Sequence, residues 1–449
     1  MNKKSILALL SIGLVLVGCK GTNKPEPEPK PDTNPLKADE VEVKVSPNLN
    51  DNADPYKLRF HFGKELFDQE STTYNQDLAL LSLGASLAET DSKSSSAFYQ
   101  RIGLSDALIH SLPEPTEDTI GYSFAFKRYE DYDLIAMNFR GFNYGMEWAN
   151  NLDMGETGNH NGFEARAQEA FTQLLFECHA TQPEPERVKV WLTGYSRGGA
   201  LANMVAQKML SMENSPVEPE DLFVYTFEAP QGLTEANAVS YPNVFNIVNS
   251  ADIVTYVAPQ QYGLYRCGND VQIYQSENDL NRLIHELDKD ITLPSFSAQG
   301  SITTEQQFIN YVFETIMGED KNAGAFARTR AEFVANYQEG LKYFIGLYFS
   351  LDGSTRNKIS SRLQALDGAG MMAIMADDGL YNFLKPILDE DNVQYNDDDL
   401  HESCTVMTKF MTNNFAVVYS MFTSNNLTRI ISMHAPEVTY VLLKDLKVY

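Results

Sequence analysis

The run Val188-Lys189-Val190-Trp191-Leu192-Thr193 reads as a strand, and Gly194-Tyr195-Ser196-Arg197-Gly198-Gly199 follows it without a spacer. Ala200-Leu201-Ala202-Asn203-Met204 then opens a helical pattern that continues to Leu210. A strand that reverses into a helix over so short a turn holds Ser196 in a strained conformation with its hydroxyl raised above the sheet. Glycines two positions to either side are needed because side chains there would collide with the neighbouring strand and helix. The backbone N–H of Arg197, at the helix N-terminus, points at the place where an oxyanion would form. Gly-x-Ser-x-Gly alone is a weak signal; its seat between a strand and a helix is what constrains the fold.

The flanking sequence extends the alternation. Tyr74–Ala88 suits a helix through Leu78, Leu81 and Ala85. Tyr122–Tyr129 and Leu134–Phe139 read as strands joined by the turn Glu130-Asp131-Tyr132-Asp133. Gly162–Cys178 reads as a helix, and Leu222–Phe227 and Val244–Val248 as strands. Strands alternating with helices predict a mostly parallel sheet covered on both faces, an α/β core. From about 278 to 427 the pattern becomes helical throughout. Thr304-Glu305-Gln306-Gln307 has capping-box spacing and opens a helix carrying Phe308, Val312 and Ile316, stopped at Gly318. Phe333, Tyr337, Leu341, Phe344, Tyr348 and Leu351 form one stripe; Met407, Met411, Phe415, Val418 and Phe422 form another. Such stripes suit packing faces, and a lid over an apolar substrate would use the same residues. The acidic run Asp389-Glu390-Asp391 with Asp397-Asp398-Asp399 lacks the glycine and spacing of a calcium loop and reads as a solvated face.

The amino terminus reads as an address. Lys3-Lys4 precede an apolar run from Ile6 to Val17, too short for a span of ~20 residues and of the right length for a secretory signal. Leu16-Val17-Gly18-Cys19 resembles the bacterial lipobox, which implies cleavage before Cys19 and lipidation of its thiol, so that acyl chains such as palmitate would hold the protein at the cell envelope of the exporting bacterium. Residues 19–47, with Pro25-Glu26-Pro27-Glu28-Pro29-Lys30-Pro31, read as an extended spacer. The domain plan is therefore a signal peptide at 1–18, a lipidated tether at 19–47, an α/β core at 48–277, a helical insertion at 278–427, and the end of the core at 428–449. With 35 basic against 61 acidic side chains, the net charge of −26 repels nucleic acid and anionic membrane surfaces, so membrane attachment must be covalent or apolar. Lipidation would leave Cys178, Cys267 and Cys404, enough for one disulfide at most, with at least one buried free thiol. Nucleotide-binding GxxxxGK[ST], zinc-binding HExxH and CxxC patterns do not occur, and no metal or cofactor is implied.

A serine hydroxyl needs a base, and the base needs an orienting acid. In α/β-hydrolases they follow in the order Ser, Asp, His. Asp252 lies just past the strand Val244–Val248. Of the histidines after Ser196, His285 and His401 fall in the insertion, whereas His434 follows the β-branched run Thr428-Arg429-Ile430-Ile431, where a last strand would deliver it.

On these blocks the chain resembles the fungal-type (class 3) lipase family of α/β-hydrolases. Leu134–Gly141 is similar to the family's strand ending in Phe-Arg-Gly; Trp148, Leu152 and His160-Asn161-Gly162-Phe163 to its Trp…Leu…His-x-Gly-Phe stretch; Tyr225–Pro230 to Tyr-Thr-Phe-Gly-x-Pro; Asp252-Ile253-Val254 with Pro259 to the aspartate block; and His434 with Tyr440 to the histidine block. The resemblance implies an α/β-hydrolase with a large all-helical insertion before the catalytic histidine, with Ser196 as nucleophile, His434 as base and acid, Asp252 as orienting acid, and the N–H groups of Phe142 and Arg197 as oxyanion hole. Phe142 stands where the family has Ser or Thr, Tyr195 replaces His, Arg197 replaces Leu and Glu228 replaces Gly. The last two are expected to compensate as a buried ion pair.

These readings favour an envelope-anchored serine ester hydrolase (a lipase, phospholipase or carboxylesterase) acting through an acyl-enzyme on a lipid or other ester. The alternative is a non-catalytic surface lipoprotein that binds through a lipase scaffold. A peptidase or other acyl-transfer enzyme on the same triad stays open, as do acyl-chain preference, the role of the insertion and the oligomeric state.

Overall fold

The structure, a computed structural model, describes residues 35–49, 53–104, 107–112, 116, 119, 121–142, 145–180, 187–274, 276–316, 327–413 and 426–447. The expected signal peptide, Cys19, the proline-rich stretch, Gly318 and residues 415–422 of the last apolar stripe lie outside them.

The centre is a seven-stranded sheet in the order β11-β9-β7-β6-β5-β4-β3. Its strands are β3 (Ala107–Ser111), β4 (Tyr122–Arg128), β5 (Asp133–Phe139), β6 (Val188–Tyr195), β7 (Leu222–Phe227), β9 (Val244–Val248) and β11 (Asn269–Gln272). From β5 to β11 every neighbouring pair is parallel; β3, β4 and β5 pair antiparallel at the other edge. This is the α/β-hydrolase arrangement: a mostly parallel sheet with helices on both faces. β6 shows how the sequence sorts the layers. Val190 and Leu192 face helices α3 (Asn161–Ala180) and α4 (Arg197–Ser211), among Leu174, Leu201 and Val205. Trp191 and Tyr195 point the other way, toward α1 (Gln76–Ala88) and the C-terminal helix α13 (Pro436–Asp445). The Trp191 indole N–H there donates to Ser82 Oγ at 2.8 Å, so the ring is buried without stranding its polar atom.

The folded core begins inside the stretch expected to be a tether. Glu40–Val45 is strand β1, paired antiparallel with β2 (Tyr56–His61). Val41, Val43, Leu58 and Phe60 of this hairpin are buried over α1. The core therefore begins before residue 48, because β1 has an apolar face to bury.

The boundaries of the insertion shift too. Helix α5 (Glu277–Leu287) buries Leu280, Leu283 and Ile284 in the same cluster as α13, and Ile291 and Leu293 join them, so this stretch belongs to the core. The rest of the insertion, called the cap below for brevity, has its own apolar centre, built from Phe308, Ile309 and Val312 of α6 (Glu305–Ile316), Phe344 of α7 (Glu339–Ser350), and residues of α8 (Gly353–Ala365), α9 (Gly368–Ile374), α10 (Gly379–Glu390), α11 (Asp397–Asn413) and α12 (Asn426–Ser432). Apart from one bridge between Gln299 and Ile302, the described part of this region has no strand. Thr304 Oγ1 accepts the Gln307 N–H at the start of α6, as the capping spacing predicts. Thr428–Ile431, expected as a strand, is part of helix α12. There Arg429, fully buried, donates to Glu305 at 3.1 Å and Ile430 enters the cap centre, and this packing outweighs β-branched propensity.

Two buried contacts fasten the cap to the core. Arg330 donates to the carbonyl oxygens of Gly155, Gly158 and Asn159. Gln338, at the end of a π-helical turn (Val334–Gln338), accepts the Met154 N–H at 3.0 Å and donates to Asp153 at 3.2 Å. The acidic run is ion-paired at the cap surface, with Glu390 to Arg362, Asp391 to Lys358 and Asp397 to Lys385. Cys178, Cys267 and Cys404 are buried and form no disulfide, and burial pushes each thiol up to about 12. Among the described residues no helix is long and apolar enough to cross a membrane.

Glu89, at the end of α1, is fully buried beneath β4 and β5 and accepts from Ser95, Ser123 and Asn138. Desolvation outweighs those donors and raises its carboxyl from about 4.5 to about 7. The folded state thus binds this proton more tightly than the unfolded chain, so its stabilising contribution is full below about pH 4.5 and lost as pH rises through about 7. Glu89→Gln is expected to gain up to about 3 kcal/mol over wild type at about pH 8 and nothing near pH 4, read by denaturant unfolding.

Candidate active site

The turn between β6 and α4 is as tight as its glycines imply. Ser196 sits at φ 53°, ψ −127°, a costly region for a residue with a Cβ, and its N–H is tied to Phe227 O at 2.7 Å. A Cβ on Gly194 would lie 2.3 Å from the Gly198 backbone, and one on Gly198 would lie 2.4 Å from Phe139 O. A Cβ on Gly141 would lie 2.0 Å from Tyr195 O. The segment after β5 therefore runs flat against the serine turn, and the Phe142 ring packs on Tyr195 at 4.8 Å. Phe142 and Arg197, the two expected oxyanion donors, thus flank Ser196 from the end of β5 and the start of α4.

His434 and Asp252 meet the serine from separate elements. His434 lies in the turn between α12 and α13, held by its N–H to Ile431 O at 3.0 Å, with Pro436 starting the next helix. Asp252 follows β9 and is fully buried. Its Oδ1 accepts the Val254 N–H at 2.8 Å, fixing the carboxylate, and its Oδ2 lies 2.6 Å from His434 Nδ1. His434 Nε2 is 2.9 Å from Ser196 Oγ. A carboxylate can only accept, so Nδ1 carries the proton and Nε2 is left to accept from the serine. Ser196, Asp252 and His434, spread through the sequence, are brought into one hydrogen-bonded chain.

The expected Arg197–Glu228 ion pair does not form. Arg197 donates to Glu147 Oε2 at 2.9 Å, while Arg140 donates to Oε1 of the same carboxylate and Thr119 adds a hydroxyl at 2.8 Å. All three charged residues are buried. Glu147 lies on the 3₁₀ helix Gly145–Leu152, so this cluster pins the chain after Phe142 to the end of β5 and the start of α4. The sequence offered many carboxylates for Arg197 and no signal favouring Glu147. Glu228 instead faces Asn249 and Thr439. Its φ of 48° explains why glycine is usual there in the resembling family. His160 is fully buried, stacked on Phe163 at 4.0 Å and bonded to Asn151 O at 3.2 Å; burial holds its imidazole down to about 4, neutral near pH 7. It braces the 3₁₀ helix and lies outside the triad. Among the described residues no cluster of His, Cys, Asp or Glu could hold a metal ion.

Removing Glu147 would take the shared carboxylate from two buried arginines. Glu147→Ala is expected to cost about 3–5 kcal/mol in denaturant unfolding. A double-mutant cycle of Glu147→Ala with Arg197→Leu should show strong coupling, whereas Glu228→Ala with Arg197→Leu should be additive to within about 0.5 kcal/mol.

No curated protein matches the chain. Among solved structures it is similar to the lipase from Rhizopus microsporus var. chinensis (19% identity over 45% of this chain and 75% of that one, TM-score 0.33). Similar too are the Rhizomucor miehei triacylglyceride lipase (20%, 45% and 82%, 0.35) and lipase II from Rhizopus niveus (18%, 44% and 81%, 0.33). Those scores describe partial overlap; strand order and the serine turn define the fold. Residues 136–262, which hold Ser196, Asp252 and both oxyanion candidates, match the family described as Lipase (class 3).

Proposed function

We propose that the protein is a serine ester hydrolase that works through an acyl-enzyme on Ser196. The observation that carries this reading is the continuous chain Asp252–His434–Ser196 at 2.6 and 2.9 Å, with the serine on a strained turn. His434 Nε2 takes the Ser196 proton as Oγ attacks the ester carbonyl. Asp252 remains ionised, holding the tautomer and stabilising the imidazolium. The oxyanion is bound by the N–H groups of Phe142 and Arg197, Arg197 aided by the positive end of α4. The imidazolium then protonates the leaving alcohol, and water repeats the sequence on the acyl-enzyme to release the acid.

The match to class 3 lipases and the apolar cap support a lipid-like or long acyl substrate. Ile253 and Tyr256, beside the acid, and Ile430 and Ile431, just before the histidine, pack with the cap's apolar centre, so a shift of the cap would be felt at both partners of Ser196. Cleavage and lipidation at Cys19, with the proline-rich stretch as spacer, would hold the enzyme at an envelope membrane.

Incubated with a fluorophosphonate probe, the full chain in detergent should be labelled at Ser196, and Ser196→Ala should abolish labelling. Asp252→Asn, which leaves His434 the wrong tautomer, should lower kcat by about 10⁴. A folded wild-type chain that takes no label would point instead to a binding lipoprotein on this scaffold. Metabolic labelling with palmitate should mark the protein and be lost in Cys19→Ser; equal labelling of that variant would refute the anchor.

A further inference from the structure

We propose that Glu228 is a positioning residue that works as a neutral carboxylic acid, holding the His434 backbone through Thr439 and Tyr195. This rests on the triad reading above and deepens it. Glu228 Oε1 lies 3.0 Å from Thr439 Oγ1, Thr439 Oγ1 lies 2.8 Å from Tyr195 Oη, and Tyr195 Oη lies 3.0 Å from the carbonyl oxygen of His434. Three contacts in a row need three protons. The His434 carbonyl has none, so Tyr195 must donate to it. Thr439 must then donate to Tyr195, and the remaining contact requires a proton on Glu228. With Glu228 ionised, two hydroxyl protons would serve three contacts, leaving either Thr439 and Tyr195 at 2.8 Å or Tyr195 and the His434 carbonyl at 3.0 Å with no proton between them. The other carboxyl oxygen accepts the Asn249 N–H at 2.9 Å, a role that either protonation state can fill.

The surroundings favour the neutral form. Glu228 is fully buried, and Asp252, an acid whose charge bears on it, is already committed to His434. Burial and the Asp252 charge both push its carboxyl well above the usual range. The cation facing it, Arg266, is turned to Asp270 at 2.8 Å and to the carbonyls of Ala229 and Thr255. On the α13 side, Glu437 adds a further acid facing Tyr195. Glu228 also keeps a left-handed backbone that glycine would adopt without strain, and strain of this kind clusters at functional positions. Asn249 runs a parallel line to the same segment, its side-chain N–H donating to Met433 O at 3.1 Å. The two lines hold the residues on which the imidazole is mounted, so the triad distances depend on a proton that takes no part in the reaction.

The test uses the full chain and a nitrophenyl ester. Glu228→Ala should lower kcat by ~10–100-fold with KM little changed, the size of loss that follows a small displacement of a catalytic group. Glu228→Gln, whose amide donates to Thr439 and accepts from Asn249, should recover most of it. Tyr195→Phe, which cuts the chain without touching the carboxyl, should behave like Glu228→Ala. Infrared difference spectra between wild type and Glu228→Gln should show the C=O stretch of a protonated carboxyl near neutral pH. A carboxylate band in its place, or Glu228→Gln as impaired as Glu228→Ala, would overturn the proposal. If Glu228→Ala does not fold, the glutamine variant and the infrared band still decide. A wild type without esterase activity would defeat the hydrolase reading, and the band would still report the state of Glu228.

Discussion

The backbone of Ser196 is the constraint around which the molecule is arranged. A positive φ at a residue with a Cβ is costly and persists only when its surroundings leave no alternative. Here the surroundings are other backbones: Gly194 against Gly198, Gly198 against Phe139, and Gly141 against Tyr195. Three pieces of chain, the end of β5, the β6–α4 turn and the end of β7, come together with no side chain between them. One consequence is chemical, since the hydroxyl is held past the C-terminal end of the central strand β6, beside a helix N-terminus. The other is architectural, since the strands that converge there must be parallel neighbours.

Around that turn, buried polar groups do the positioning. Glu147 joins Arg140, at the end of β5, to Arg197, at the start of α4; Asp252 is fixed by the Val254 N–H before it meets His434; Tyr195, Thr439 and Asn249 hold the chain on either side of the histidine. Each is costly to bury alone and favourable only with its partners in place. The cap enters the same accounting through Arg429, which ties the helix before His434 to Glu305.

What could be read from the sequence was local. β6, the serine turn, α4, β7 and β9 announce themselves because strand alternation, turn glycines and helical spacing are written in consecutive residues. Asp252 and His434 followed from order along the chain and from the elements before them. The hairpin strand β1 was equally legible, since Glu40-Val41-Glu42-Val43-Lys44-Val45 alternates strictly, but its charges and the neighbouring prolines made it look like more tether. Contacts across the fold were not legible. Arg197 and Glu147 are 50 positions apart and their pairing depends on how the 3₁₀ helix returns to the sheet. The run Thr428–Ile431 misled for a related reason: its propensity favours a strand, and the cap supplies the buried partners that make it a helix.

The central claim is that one imidazole bridges Asp252 and Ser196, and proton NMR of the resting protein tests it most directly. The account predicts a far-downfield, exchange-protected proton on His434 Nδ1 that disappears in both Asp252→Asn and His434→Ala. A spectrum without that proton, with His434 titrating as a free solvent-exposed imidazole, would contradict it.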